Sequence, residues 1–393
     1  MTAFDTSNLH NELPRDVMIG GVGIHEFGRF DKSFQEIGKE AVVEALSDAN
    51  ISIQDVEAML CSNAYLPMSA GLQILETVGR TGIPVSDLDA SSASGVLGIE
   101  FGQYLVGSGM SDVVLAVGVE KSPRGFLDPT NIYPEWMCHM GLSQNPQYWS
   151  LNAKRHMYEH GTTEEQIAKV AVKNHYNSTL NPNAHYTEEM DLEEVMNSRL
   201  VCDPIRLYEL CAPNEGAVAV VICSADAIEE HGMEEPVSID ASVHTTSQFP
   251  VNQVASYCTT PTENPSVHRQ TVDLAYDIAG LSASDIDIAE VQDTDAFCEL
   301  EAYEELRFCD TGMGGEFIER GASARDGELP VNVSGGLISK GEPIGASHLG
   351  QIHELVLQIR GNAGERQIAG VNTGLAHVYG AHGQCGITVV SAP

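Results

Sequence analysis

The 393-residue sequence predicts an α/β fold built from two similar halves. Helical patterns alternate along it with near-continuous apolar runs, which is typical of strands covered by helices on both faces. Each half also contains a glycine-rich turn that follows a short apolar run and opens a helix, at residues 89–95 and 332–336. Because the order of elements matches in the two halves, internal duplication of one three-layered unit explains the pattern better than two unrelated domains.

The halves are expected to span residues 1–232 and 233–393. The alternation breaks over about 121–200, which holds both tryptophans and one clear helical pattern, so a loop domain is predicted to be inserted there. The expected strands lie at 17–24, 56–61, 83–88, 112–119, 216–223, 237–242, 286–291, 367–372 and 386–390, with a short strand entering the turn at 332. The expected helices lie at 33–49, 71–79, 94–106, 163–174, 225–231, 267–279, 297–308 and 343–360.

The charge of the chain is strongly acidic throughout its length. Lys and Arg total 20 against 56 Asp and Glu, which gives a net charge of −36. Such a chain offers no basic face for phosphates, so nucleic-acid and anionic-membrane partners are excluded. Self-repulsion of this size destabilises a compact fold, and molar salt screens charges beyond about 3 Å. The charge therefore indicates a cytoplasm of very high salt, as in halophilic archaea, with an ordinary acidic protein as the alternative.

The nine cysteines are scattered, odd in number and free of any C-x-x-C pair. This pattern argues against a disulfide framework and against a zinc site. His156 and His160 have helical spacing but lack a further ligand of suitable geometry, so no metal is expected. With no signal-like leader and no apolar run of membrane-spanning length, the chain is expected to be cytosolic.

Ser92 is the first candidate for chemistry. It lies in the turn at 89–95, where a strand passes into a helix, and there the helix dipole and free backbone N–H groups favour negative charge. An acyl nucleophile is well activated in such a place. Serine is also a common helix cap, so both interpretations stay open on this turn alone.

Five stretches together are similar to the thiolase superfamily, and within it to the sterol-carrier-type and archaeal branch. They cover nearly the whole chain in the family's order: residues 91–95 with the strand at 113–120, 164–186, 213–227, 332–352 and 372–386. The resemblance implies two αβαβα-type halves that stack their sheets around buried helices. It also implies a loop domain that contacts coenzyme A, and a dimer or tetramer.

The sequence departs from the family's pattern at four places. Ser92 stands where the family has a nucleophilic cysteine, and Glu342 replaces the histidine of the G-H-P motif. The H-D-C-F or N-E-A-F motif is replaced at residues 292–295, and the C-terminal cysteine position falls at about Val378. The resemblance extends to large subunits of haloarchaeal β-ketothiolases, in which serine replaces the cysteine.

On the catalytic interpretation, Ser92 accepts an acyl group from acyl-CoA, and the enolate of a second acetyl-CoA then attacks it to give a 3-oxoacyl-CoA. A hydroxyl needs a neighbouring general base, and histidines supply one near working pH. A histidine is also expected to remove the α-proton of the acetyl group. The predicted catalytic residues are Ser92, His348, His377 and His382, with Glu342 orienting an imidazole. The glycines expected to contact the coenzyme A ester or its oxyanion are Gly335, Gly336, Gly380 and Gly383.

The predicted function is a β-ketothiolase that condenses or cleaves short 3-oxoacyl-CoA esters, for example to supply precursors of polyhydroxyalkanoate. The resemblance implies coenzyme A esters as substrates, no permanently bound cofactor, and a small OB-fold, zinc-ribbon subunit as partner. An aldol lyase is the alternative, although residues 292–295 lack the tyrosines expected of one. A non-catalytic scaffold that binds coenzyme A esters is another. The aromatic residues Trp136, Tyr148 and Trp149 are expected to pack in the core or a lid rather than to stack on adenine.

Overall fold

The computed structural model describes residues 13–125, 130, 133–140, 145–247 and 266–393. Its strands are β1 (Val17–Gly28), β2 (Ala58–Ser62), β3 (Val85–Leu88), β4 (Val113–Lys121), β5 (Leu200–Cys202), β6 (Ile205–Arg206), β7 (Glu215–Ser224), β8 (Val237–Thr246), β9 (Ile288–Glu290), β10 (Thr373–Gly380) and β11 (Gln384–Ser391). The helices of the first half and the insertion are α1 (Phe34–Asp48), α2 (Ala70–Val78), α3 (Ser94–Gly107), α4 (Glu135–His139), α5 (Asn145–His160), α6 (Glu164–Ser178), α7 (Leu192–Asn197) and α8 (Ala225–His231). Those of the second half are α9 (Val267–Ala279), α10 (Ala296–Glu305), α11 (Gly314–Glu319), α12 (Gly336–Ser339) and α13 (Ser347–Arg360).

Nine strands form one continuous sheet in the order β3-β2-β4-β7-β1-β8-β11-β10-β9. In the first half β7 pairs antiparallel with β4 and β1, while β2 runs parallel to β4 and β3. In the second half β11 pairs antiparallel with β10 and β8, and β9 runs parallel to β10 and to a single bridge at Val331. The second half therefore repeats the first, with Val331 at the position that β3 holds. The halves join where β1 pairs with β8 through Met18 and Ile19.

The two equivalent helices α3 and α13 lie at the centre of the molecule, where each contacts strands of both halves. Both are buried on nearly all sides, unlike α1, which covers one face of the sheet. Small residues allow this close packing: a Cβ on Gly95 would lie 2.8 Å from that of His348, and one on Gly102 would lie 2.4 Å from Ile222 Cδ1. The turn at 89–95 leads directly into α3, and the turn at 332–336 leads through α12 to α13, so both turns lie close to the middle of the fold.

The structure differs from the sequence prediction at several places. Over its described residues the inserted region contains helices α4 to α7 rather than one, and β5, β6 and α11 were not expected. The helix expected from residue 343 starts at Ser347, after a 3₁₀ turn over Ile344–Ala346. The strand expected at 367–372 is wrong, because those residues form a turn and the strand is β10. The small residues and glycines of β10 resemble a loop in sequence, yet they suit a strand buried on both faces between β9 and β11.

No helix within the described ranges is long and apolar enough to cross a membrane.

Candidate active site

Ser92 lies in the turn between β3 and α3, and it does not cap the helix. The capping position is Ala93, and no side chain bonds to the first helical N–H groups there. The turn is held by Ser94, whose hydroxyl donates to Ser91 O at 2.6 Å and accepts from Ala90 N at 2.8 Å. The Ser92 hydroxyl is thus left to donate to Glu342 Oε1 at 3.2 Å. The interpretation of Ser92 as a plain helix cap is wrong.

The backbone of Glu342 is fixed by the segment that leads into β7. Glu342 N donates to Ala212 O at 2.9 Å, and Asn214 N donates to Glu342 O at 3.3 Å. Gln292 Nε2 donates to Glu342 Oε1 at 3.0 Å, beside the Ser92 hydroxyl. The serine turn, residue 292 and residue 342 come from three distant segments and meet at one carboxylate oxygen.

Burial raises the pKa of the Glu342 carboxyl, and hydrogen bonds from the Cys211 thiol, Gln292 and Ser92 offset part of that rise. No Lys or Arg of the described residues forms an ion pair with it. A carboxylate that is desolvated, without a counter-charge and next to a hydroxyl is a stronger proton acceptor than an exposed one.

Ser92 and Glu342 border a cavity of about 610 Å³ that lies between the serine turn, the inserted region and the second half. Its walls combine aromatic and apolar side chains with charged and polar ones. This composition is typical of pockets for small organic ligands. The residues that line it include Arg29, Ser92, Arg124, Tyr133, Tyr148, Trp149, His175, His185, Arg199, Cys211, Thr294, Asp295, Glu342, Tyr379 and Gly380.

Two of the three predicted histidines are buried away from this cavity. His348 Nδ1 pairs with Gln351 Oε1 at 3.1 Å and Nε2 with Thr388 Oγ1 at 2.9 Å, and burial lowers the pKa of His348 to about 4. His377 lies in β10, where the sequence predicted no strand between residues 373 and 385. Its Nε2 pairs with His268 Nδ1 at 2.9 Å, and burial beside His268 and His348 lowers its pKa well below the usual value. Neither histidine forms a hydrogen bond with Ser92 in the described structure, and His377 Nδ1 accepts from Gln292 N at 3.5 Å.

The third histidine, His382, follows β10 with a φ of 63° and is exposed, with its ring 5.4 Å from that of Tyr133. Among the expected glycines, Gly380 lines the cavity and packs against the serine turn, since a Cβ there would lie 2.5 Å from Ala90 O. Gly383 lies beside Ser247 instead, and Gly335 and Gly336 are buried against Ser178 and Asp293.

Comparisons with known proteins match this architecture. Residues 22–226 match the model of the thiolase N-terminal domain, and residues 251–392 match that of the thiolase C-terminal domain-like family. The chain belongs to the thiolase family. It is 36% identical over 384 residues to an acetyl-CoA acetyltransferase of Methanothermobacter thermautotrophicus, covering 94% of this chain and 97% of the relative. These matches confirm the predicted thiolase fold.

Two further similarities place this thiolase among its relatives. It is 33% identical over 394 residues to sterol carrier protein 2 of Oryctolagus cuniculus, covering 96% of this chain and 72% of that protein. The solved structure of the Ltp2-ChsH2(DUF35) aldolase matches with a TM-score of 0.85 at 24% identity, covering 97% of this chain and 99% of the other. At that identity the structural match supports the fold alone.

The thiolase cavity also contains residues that the sequence analysis missed. His175 and His185 are the histidines that line it within the described part of the chain, and burial lowers the pKa of each. Both lie in the stretch 164–186 that supported the family resemblance. That resemblance was the sequence signal that could have identified them. Cys211 and Asp295 also border the cavity. Asp295 lies in the segment 292–295 that replaces a family motif, but no role was assigned to it from the sequence.

Three arginines line the same cavity although the whole chain has only 20 Lys and Arg. The Arg29 guanidinium already has protein partners. It donates to the carbonyl oxygens of Ser122 and Pro213, and its Nη1 lies 3.4 Å from Glu215 Oε1. Arg124 and Arg199 are exposed, and neither side chain forms an ion pair or hydrogen bond with the described residues. As far as the described chain extends, two cations at the cavity are therefore free for an anionic ligand.

The remaining candidates from the sequence have structural partners, as far as the described residues extend. His156 pairs with Thr162 and with Glu304, each at 2.9 Å, rather than with a metal-like set that includes His160. Three potential metal ligands, His268, His377 and Cys385, have donor atoms within 4.8 Å of one another, but burial raises the pKa of the Cys385 thiol to about 12. Trp149 is buried against Tyr148 and Tyr379, as expected for packing, whereas Trp136 is half exposed.

Proposed function

We propose that this chain is a β-ketothiolase that condenses or cleaves short 3-oxoacyl-CoA esters through an acyl-Ser92 intermediate. The observation that supports it most is the hydrogen bond from the Ser92 hydroxyl to the uncompensated carboxylate of Glu342 at the cavity wall. A nucleophile and a base in contact, at the start of a 14-residue helix, form the minimal arrangement for acyl transfer.

In the first half-reaction Glu342 takes the Ser92 proton as the hydroxyl oxygen attacks the thioester carbonyl. The C–S bond then breaks, the acyl group stays on Ser92, and the proton passes from Glu342 to the departing coenzyme A sulfur. Glu342 thus acts as the base directly, whereas the sequence analysis expected it to orient a histidine. The positive end of α3 stabilises the charge that develops on the carbonyl oxygen.

In the second half-reaction a second acyl-CoA loses an α-proton, and its enolate carbon attacks the acyl-Ser92 carbonyl. A C–C bond forms, the serine ester C–O bond breaks, and 3-oxoacyl-CoA leaves. His348 and His377 are bonded to other groups outside the cavity, so neither is positioned as the base for this step.

Arg124 and Arg199 are the proposed contacts for the phosphates of coenzyme A, because guanidinium groups without protein partners suit phosphate oxygens. With so few basic residues at the cavity, a small OB-fold, zinc-ribbon subunit is a proposed partner. The matching aldolase structure also contains a second component, ChsH2(DUF35). A homo-oligomer in a high-salt cytoplasm completes the proposal, consistent with the net charge of −36.

The test is a pair of assays, condensation and thiolysis, on the wild type, Ser92→Ala and the matched variant Ser108→Ala. Ser108 lies at the other end of the same helix, where it is exposed. Removing the nucleophile should lower turnover by a factor on the order of 10³ or more in both directions, whereas Ser108→Ala should match the wild type. Equal turnover of Ser92→Ala and the wild type contradicts the proposal.

An aldol lyase acting on an acyl-CoA is the second candidate, favoured by the phenols of Tyr133, Tyr148 and Tyr379 at the cavity. Such an enzyme forms no acyl-serine. It would keep C–C cleavage of a 3-hydroxyacyl-CoA in Ser92→Ala, which separates it from the thiolase and from a scaffold that only binds.

A further inference from the structure

Asp295 is a fully buried carboxylate that the mechanism above leaves without a role. It caps α10, where its Oδ1 accepts the backbone N–H of Phe297 at 2.9 Å and of Cys298 at 3.1 Å. Its Oδ2 has no N–H or O–H donor among the described residues, and the Cys298 thiol is a weak donor to the same carboxyl. Buried polar atoms are nearly always paired in folded proteins, so a carboxylate oxygen without a strong donor, in a residue that borders a cavity, points to a ligand that supplies the missing partner.

Asp295 borders the same cavity as Ser92 and Glu342. The chain segment 210–211 connects the two sides: Leu210 bridges to Asp295, and Cys211 N donates to Thr294 O at 2.9 Å. The Cys211 thiol in turn bonds to Glu342. Burial, and then the carboxylates of Glu342, Asp293 and Asp295, raise the pKa of that thiol. Two of these acidic groups, Glu342 next to the serine and Asp295, border the cavity.

The surroundings of Asp295 suit proton transfer near neutral pH. Burial raises the pKa of Asp295 to about 7, although the two N–H groups of α10 favour its charged form. The titratable groups that interact with it are Glu209, Cys211, Cys298 and Glu301. None of them is a cation, so within the described structure no fixed positive charge lowers the pKa of Asp295 and its basicity. A base works best when its pKa lies near the working pH.

We propose that Asp295 is the catalytic base that removes the α-proton of the second acyl-CoA in the condensation step. This inference rests on the proposed thiolase function. Asp295 Oδ2 takes the proton, and the C–H electron pair becomes the enolate, whose carbon attacks the acyl-Ser92 carbonyl. When the ester bond breaks, the proton held by Asp295 is returned to the Ser92 oxygen, which restores both groups. The assignment gives a carboxylate the role that the sequence analysis expected of a histidine.

The experiment follows two half-reactions separately by mass spectrometry after incubation with acetyl-CoA in molar KCl. Deuterium uptake from D₂O into the acetyl methyl group reports α-proton removal, and the mass of the Ser92 peptide reports acylation. Asp295→Asn keeps the acceptor that caps α10, because Asn caps helices as well as Asp. It should lower deuterium uptake by about 10²-fold or more and leave Ser92 acetylation at the wild-type level.

Ser92→Ala should give the reverse pattern, with uptake kept and acetylation lost. Asp191→Asn, which neutralises the capping carboxylate of α7 outside the cavity, should change neither signal. Unchanged uptake in Asp295→Asn, or loss of both signals in that variant, overturns the assignment of Asp295 as base. A wild type that takes up deuterium without acetylating Ser92 contradicts the serine mechanism while leaving Asp295 as the base. A wild type that does neither overturns both.

Discussion

Each half of the molecule contains a serine that donates to a glutamate near its equivalent turn. Ser92 of the first half donates to Glu342, which belongs to the second half, at 3.2 Å. In the second half Ser334 donates to Glu290 through its hydroxyl and, at 3.0 Å, through its backbone N–H. Lys340 Nζ lies 3.6 Å from Glu290, and all three groups of this second set are buried in the core.

The two pairs have the same chemistry and opposite surroundings. The Ser334 pair has a cation and a backbone donor and is buried in the core, so its charge is compensated and inaccessible. The Ser92 pair borders a 610 Å³ cavity and has no cation beside it among the described residues. A Ser–Glu contact by itself therefore does not indicate catalysis. The lack of a counter-charge beside a cavity is what makes Ser92 and Glu342, rather than Ser334 and Glu290, the candidates for it.

After the loss of Ser92 itself, the largest expected effect comes from Glu342→Gln. The amide can still accept the Ser92 hydrogen bond but cannot take its proton, so turnover should fall by about 10²–10⁴-fold with little loss of stability. Steady-state kinetics and thermal unfolding measure the two quantities on the same preparation.

The pH dependence sharpens this prediction. Acylation needs Glu342 as a carboxylate, and burial raises its pKa above the usual 4.5, so the wild-type rate should fall as pH decreases through that raised value. In Glu342→Gln this decrease at low pH should be absent from the residual rate of acylation, although Asp295 nearby still titrates. An acid limb of unchanged shape in the variant contradicts the role of Glu342.

Ser334→Ala should affect stability and leave the chemical step unchanged. Losing the hydroxyl leaves a buried Glu290 oxygen without its donor, which should lower the free energy of unfolding by about 1–3 kcal/mol. Ser92→Ala should cost less than about 1 kcal/mol, since water in the cavity can replace the hydroxyl. Denaturant titrations of both variants test the contrast, and a larger loss of stability in Ser92→Ala than in Ser334→Ala contradicts it.

The smallest expected effect concerns the cations. In the core Lys340 forms an ion pair with Glu290, whereas the side chains of Arg124 and Arg199 have no partner in the described structure. Each Arg→Gln change should raise KM for acetyl-CoA about tenfold with kcat unchanged, because one charged hydrogen bond to phosphate is lost. Arg80→Gln, which removes an exposed ion pair with Glu76, is the control and should leave KM unchanged.

Most of the fold could be predicted from the sequence, because long apolar runs and amphipathic helices are local signals. The pattern predicted α9 at its observed bounds, and the strands β4 and β7 to within two residues. It failed at β10, where glycine, alanine and histidine in a doubly buried strand have the composition of a loop. Burial depends on neighbouring strands, which local patterns do not contain.

The site was predictable only in part. Ser92 and Glu342 were both identified as departures from a family pattern, but their contact joins residues 250 positions apart and depends on how the halves pack. His348 and His377 were expected at the site because the segments that contain them belong to the family pattern of the site. In the structure the His348 ring bonds to Thr388 and the His377 ring bonds to His268. Asp295 lies in the replaced motif at 292–295, but its role was missed because a helix-capping aspartate is common and the lack of a strong donor to its Oδ2 is visible only in three dimensions.

The central claim is that Ser92, and not its counterpart Ser334, is an acyl acceptor. Peptide mass spectrometry after incubation with acetyl-CoA in molar KCl, with and without the proposed small subunit, tests it most directly. The account predicts an acetyl group on the peptide that carries Ser92, absent in Ser92→Ala, and none on the peptide that carries Ser334. An unmodified Ser92 peptide under both conditions would contradict it and would favour the lyase or the scaffold.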